Sequence, residues 1–135
     1  MKNGNIESPL TCITGAVPGL LAVYRFGSQV KGTVHSKSDI DLAVLACNPL
    51  VPGQLAELQQ NLAVVLNCDV DLIDLRAVST VMQMQVLSTG ECLLCEDVQA
   101  REVFEMIVYA SYARLNEERA GILDDVRARG SVYAG

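Results

Sequence analysis

Gly27-Ser28 is followed, after a spacer of ten residues, by Asp39-Ile40-Asp41, and these are residue types from which phosphate chemistry is built. An apolar run, Leu20 to Phe26, leads into the glycine, and a second, Ile40 to Leu45, carries the paired aspartates. Alternate side chains of a strand share a face, so Asp39 and Asp41 project together with Cα atoms roughly 6.7 Å apart. Two carboxylates at that separation repel by about 3 kcal/mol at an effective dielectric of about 20. A fold accommodates the pair cheaply where both face water or both hold a cation. Oxygen-only ligands suit Mg²⁺, which takes one or two carboxylates and completes its shell with water and substrate phosphates. The Gly-Ser end complements such a clamp. Glycine lets backbone approach an anion at positive φ, and serine offers a hydroxyl and an N–H where helix-end amides attract negative charge. Gly27 and Ser28 therefore read as a phosphate cradle, with Asp39 and Asp41 as metal ligands facing it.

The elements that must position these groups follow from periodicity. Four strands are predicted: Leu20 to Phe26, Asp39 to Leu45, Val70 to Leu75 and Cys92 to Cys95. Ile40, Leu42 and Val44 alternate with the aspartates, which predicts a sheet with one face under helices and the other open. Helices are expected from Ser8 to Val17, Gln54 to Leu66 and Val78 to Leu87, the last closed by Thr89-Gly90. A long helical pattern runs from Val98 to about Arg129, bent or interrupted at Gly121 and capped by Gly130. Its stripe is Phe104, Ile107, Val108, Tyr112, Leu115, Ile122 and Val126. The fold class is α/β, a small mixed sheet of about four strands with helices on one face and a long C-terminal helix. Residues 1–135 read as one domain, 98–129 being its C-terminal helical segment.

The arrangement resembles the nucleotidyltransferase superfamily that includes polymerase β. With its flanks Tyr24-Arg25-Phe26, Gly32 and Ser38-Asp39-Ile40-Asp41-Leu42, it looks most like the minimal nucleotidyltransferases of the MntA group. Members of that group act as antitoxins beside HEPN-type ribonuclease toxins. The superfamily takes a third carboxylate from a neighbouring strand, which helps hold a second metal and accepts the proton of the attacking hydroxyl. Asp71 in Val70-Asp71-Leu72 matches it, and strand parity independently turns Asp71 to the open face. On composition alone Asp69 and Asp74 compete: Asp69 stands at the strand entrance, and Asp74 takes core-facing parity, where a turn or capping role is expected. Lys31 and Lys37 lie in the spacer within reach of a triphosphate. Many relatives carry arginine where this chain has Lys31, and lysine lacks its bidentate fork. Lys37 is the basic residue assigned to the nucleotide. His35 reads as a surface residue, and Arg25 as a support for the loop.

The resemblance implies an enzyme, a Mg²⁺-dependent protein adenylyltransferase using two ions and ATP as substrate. Its implied role is an antitoxin that moves AMP onto a tyrosine hydroxyl of a cognate HEPN ribonuclease, in a hetero-oligomer with that toxin. Asp39, Asp41 and Asp71 would be the catalytic and metal-binding set, and Gly27, Ser28 and Lys37 the nucleotide-binding set. Two rival readings stand beside it: an antitoxin that masks the toxin by contact alone, and transfer to a small-molecule hydroxyl. The second generally needs an acceptor-binding domain, for which this chain leaves only one long helix.

Composition bounds the rest. The chain has 135 residues, half of them hydrophobic, with a net charge of −6 and a pI near 4.6. That balance disfavours direct nucleic-acid binding and suits a basic protein partner. No apolar run reaches the roughly 18 residues of a membrane span, so a cytoplasmic location is expected. Five cysteines, at 12, 47, 68, 92 and 95, read as buried thiols in a reducing compartment. The single Cys92-Leu-Leu-Cys95 pair lacks the partners of a zinc site.

Overall fold

Leu20–Phe26 forms β1, and its nearly unbroken apolar sequence reflects burial along almost its whole length. The computed structural model describes residues 4–27 and 40–134. Their order is α1 (Gly4–Ala16), β1, β2 (Ile40–Ala46), α2 (Pro52–Leu66), β3 (Val70–Asp74), α3 (Thr80–Thr89), β4 (Glu91–Cys95) and α4 (Val98–Ala134). The sheet runs β3-β2-β1-β4; β1 is antiparallel to β2 and β4, and β2 is parallel to β3. The four strands, the mixed sheet and the long last helix are those expected from the sequence.

Helices cover both faces of the sheet, which corrects the expectation of one open face. On one side, Ile13, Val17, Leu58 and Leu62 of the α1–α2 region pack on Val23, Leu42, Val44 and Leu72. On the other, Val86 of α3 and Phe104 and Val108 of α4 pack on Tyr24, Phe26, Ala43 and Leu45. Small residues at Ala22 and Ala43, both fully buried, let these helices approach the middle of the second face. Burying one such Leu or Phe stabilises by roughly 1.5–3 kcal/mol, so both layers fasten the sheet to its helices.

Several element ends differ from expectation for local reasons. α1 begins at Gly4 and carries Pro9 inside it, so Ser8-Pro9 does not mark its start. α2 begins at Pro52, whose missing N–H is tolerated in the first turn. α3 begins two residues later than expected, because Ser79 caps it by accepting the Met82 N–H at 3.1 Å. Gly90 ends α3 at φ −93°, so space requires the glycine there: a Cβ would meet the Val86 and Arg25 carbonyl oxygens at 2.6 and 2.7 Å. α4 runs unbroken through Gly121 and Gly130. A helical glycine costs only about 1 kcal/mol relative to alanine, and the flanking residues absorb it. On α4, Phe104 and Val108 are buried as expected, whereas Ile107 and Ile122 are exposed. The cysteines are free thiols, yet Cys47 and Cys92 are exposed and the other three half-buried, not buried.

Candidate active site

Parallel pairing of β2 with β3 puts Asp41 directly opposite Asp71. Paired residues of adjacent strands share a face about 4.8 Å apart, so two carboxylates from different strands meet at one end of the sheet. Asp41 is half-buried and Asp71 exposed, although Ala43 and Leu45 farther along β2 are fully buried beneath α3 and α4. Among the described residues the helices stop short of the carboxylates at that end of the face. Asp41 also pairs across β1 with Phe26, the residue before Gly27.

Gly27 is positioned against the same carboxylate. Its φ of +92° lies in a region that side-chain-bearing residues rarely adopt, and a Cβ there would overlap the Asp41 carboxylate. Two requirements, conformation and space, therefore converge on glycine where the chain leaves β1. The structure brings together Gly27, Asp41 and Asp71. Ser28, Asp39 and Lys37, together with Lys31 and His35, lie outside the described residues.

The competing aspartates on β3 separate cleanly. Asp74 is 2 % exposed and faces the opposite side, accepting the Leu50 N–H at 2.7 Å and the Arg76 N–H at 3.0 Å. It joins two loops at the far end of the sheet, the turn role its parity predicted. Asp69 is exposed at the strand entrance, where its backbone carbonyl accepts the Ile40 N–H at 3.0 Å. Arg25 pairs with Leu42 and so points away from Asp41, toward the α1 side. There it lines a cavity of about 200 Å³ with Pro9, Leu10, Ile13, Ile40 and Leu66, and among the described residues its buried Nε has no hydrogen-bond partner.

Sequence reading missed a second polar cluster on the site's face. Tyr24 donates to Glu105 at 2.9 Å, Arg101 lies 3.3 Å from the same carboxylate, and Arg101 donates to Cys92 Sγ at 3.3 Å. Burial, and then the bond to Glu105, pushes the Tyr24 phenol above its ordinary range. The bond to Cys92 raises the Arg101 guanidinium, with Glu105 adding to it. The i,i+4 spacing of Arg101 and Glu105 was the available signal; the tyrosine, 81 residues distant in sequence, carried none.

Among the described residues no group of three or more His, Cys, Asp or Glu side chains is placed to hold a metal ion. Asp41 and Asp71 nevertheless offer two oxygen-only ligands at an open sheet end, which suits Mg²⁺ completing its shell with water and phosphate oxygens.

The family described as "Polymerase beta, Nucleotidyltransferase" matches residues 13–99. The chain belongs to this nucleotidyltransferase family. It is 43 % identical over 134 residues to "Protein adenylyltransferase MntA" of Shewanella oneidensis, an alignment covering 99 % of this chain and 96 % of that protein. A crystal structure described as "the toxin-antitoxin with AMP-PNP" superposes with a TM-score of 0.79 and 40 % identity, covering 93 % of this chain and 98 % of that one. Another, of "tri-AMPylated Shewanella oneidensis HEPN toxin in complex with MNT antitoxin", gives 0.76 and 37 % identity, covering 93 % and 98 %. The nucleotidyltransferase family match spans α1's end through β4, the region that builds the Asp41–Asp71 pair, and stops as α4 begins.

Proposed function

We propose that this chain is an antitoxin that transfers AMP from ATP to a tyrosine hydroxyl of a cognate HEPN ribonuclease and so inactivates it. The observation that carries the reading is the in-register Asp41–Asp71 pair beside Gly27, in a chain 43 % identical to a protein adenylyltransferase. Relatives solved with AMP-PNP and with a tri-AMPylated toxin support both the donor and the kind of acceptor. Residues 1–135 act as one minimal nucleotidyltransferase domain. No described helix is long and apolar enough to cross a membrane, and the ATP donor fits a cytoplasmic setting.

In the proposed reaction the acceptor oxygen attacks the α-phosphorus, forming one P–O bond while the bond to pyrophosphate breaks. Asp71, exposed at the open end of β3, accepts the proton released by the hydroxyl. Asp41 stands on the neighbouring strand, with the Gly27 backbone packed against its carboxylate. Asp39, Ser28 and Lys37 complete the metal and phosphate contacts on sequence grounds. Asp39, Asp41 and Asp71 would hold Mg²⁺, which would neutralise the triphosphate charge. Holding donor and acceptor in line at such an edge supplies most of what phosphoryl-type transfer requires.

The test is incubation with labelled ATP, Mg²⁺ and the toxin, followed by separation and mass spectrometry of the toxin. Toxin heavier by whole AMP units and still inactive after separation is the expected result. Unmodified toxin that regains ribonuclease activity would leave only masking by contact.

A further inference from the structure

α4 is much longer than the layer it packs on. Its 37 residues span about 55 Å at 1.5 Å each, whereas the 7 residues of β1 span about 23 Å. The excess has a direction. Arg101 reaches Cys92, Glu105 reaches Tyr24, and Phe104 and Val108 pack in the cluster that includes Phe26. α4 therefore returns from the Cys95 end of β4 toward the end of β1 where Phe26 pairs with Asp41. It does so on the face that carries Asp41 and Asp71. Leu115 is half-buried, and every residue from Asn116 to Leu123 is exposed. The second half of the helix is thus an arm that runs on past its own packed segment, from the end of β1 at which Phe26 pairs with Asp41.

The arm keeps the pattern of a helix with something beneath it. Phe104, Val108 and Leu115 form the inward stripe, and at 100° per residue Ile122 falls on the same side. Nothing of the sheet lies under it, and Ile122 and Leu123 are 62 % and 57 % exposed. An apolar stripe carried past the end of its own core is a surface awaiting cover.

The family shared by nucleotidyltransferases at large ends at residue 99, at the start of α4. The likeness to MntA covers 99 % of this chain, and that to the toxin–antitoxin structures 93 %. α4 is therefore what this chain shares with toxin-associated relatives beyond the common catalytic region.

We infer that the exposed apolar side of the α4 arm, formed by Ile122 and the adjoining Leu123, is the docking surface for the protein acceptor. The proposal rests on the adenylyltransferase reading and specifies its partner contact. The occupant is the cognate HEPN-type toxin, presenting an apolar ridge flanked by basic groups. That chemistry complements a chain of net charge −6 whose arm carries Glu118 beside the stripe. A partner seated there leaves α3 and the packed half of α4 in place.

The test uses full-length protein and toxin, measuring their affinity by calorimetry, ATP binding, and the rate of toxin labelling. Ile122→Asp/Leu123→Asp should raise the toxin KM and Kd at least about 30-fold, the scale of a hot-spot loss. ATP binding and kcat at saturating toxin should be unchanged. Val64→Asp on α2, 80 % exposed in the wild type, is the control and should change neither. Circular dichroism verifies that α4 is retained. Wild-type affinity in the double variant overturns the proposal. Loss on Val103→Asp/Ile107→Asp instead would move docking to the exposed side of the packed half of α4 and overturn it as well. A chain that self-associates through Ile122 and Leu123, with toxin affinity unaffected, assigns the arm to a second copy and does the same. Were the wild type to bind toxin without modifying it, and the double variant to lose that binding, the adenylyltransferase reading would fail while the docking surface stood.

Discussion

Asp71 and Asp74 stand three residues apart on β3 and show what one residue type does in two settings. Asp74 is buried on the α1–α2 side, and its two oxygens are taken by two backbone N–H groups of neighbouring loops. Asp71 is exposed on the opposite side, level with Asp41 and beyond the reach of α3 and α4. Burial with full hydrogen bonding makes a carboxylate a structural joint. Exposure beside a second carboxylate leaves its oxygens available to a cation or a proton. Strand parity produces this division, since an odd spacing sends the two side chains to opposite faces.

The largest effect should come from the carboxylates assigned to the metal. Asp39→Ala/Asp41→Ala is expected to lower toxin labelling by at least about 10³-fold, several kcal/mol of lost charge stabilisation. Melting temperature should not fall, because the substitution relieves repulsion between neighbouring carboxylates. Near wild-type labelling would place the chemistry elsewhere. Asp71→Asn should follow, cutting kcat by about 10²–10⁴-fold while ATP binding largely persists, because the near-isosteric amide cannot accept a proton.

Asp74→Ala sharpens the contrast by reversing its sign. It strips the acceptor from the Leu50 and Arg76 N–H groups, and two unsatisfied donors should cost about 2–4 kcal/mol of stability. Thermal unfolding should shift down markedly, while kcat of the remaining folded protein stays near wild type. Were Asp74→Ala to silence a stable protein and Asp71→Asn to unfold an active one, the assignment of faces on β3 would be inverted.

What the sequence disclosed depended on whether the information was local. Strand β1, the parity of Asp71 and Asp74, and the need for glycine at position 27 are short-range properties, readable from alternation and residue type. The covered second face was not, because Ala22, Ala43 and Leu45 become a helix-packing surface only when Val86, Phe104 and Val108 arrive from distant positions. The α4 stripe misled for a related reason. Ile107 and Ile122 fit a helical period, but whether a periodic residue is buried depends on what lies beneath that turn, and beneath Ile122 the sheet has ended. Asp39, Ser28 and Lys37 were assigned on sequence and stand outside the described residues, so their part in the site rests on that assignment.

The smallest expected effect concerns Glu105, a third carboxylate that is neither catalytic by position nor fully buried. It accepts from Tyr24 and faces Arg101, tying α4 to β1 near the strand's site end. Tyr24→Phe removes one hydrogen bond but leaves Glu105 its arginine, so a loss of about 1 kcal/mol is expected at neutral pH. The pH dependence separates this bond from simple packing. The folded-state Tyr24 pKa is raised, chiefly by burial and next by Glu105, so the native protein favours the protonated phenol. Stability from this group is therefore complete below the unfolded tyrosine pKa of about 10 and is lost progressively as pH rises above it. Wild-type unfolding free energy should fall above that pH, and Tyr24→Phe should flatten the fall, since phenylalanine has no proton to release. Parallel alkaline curves for the two proteins would show that the phenol is not held protonated by this environment, and that α4 is fastened to β1 by Phe104 and Val108 alone.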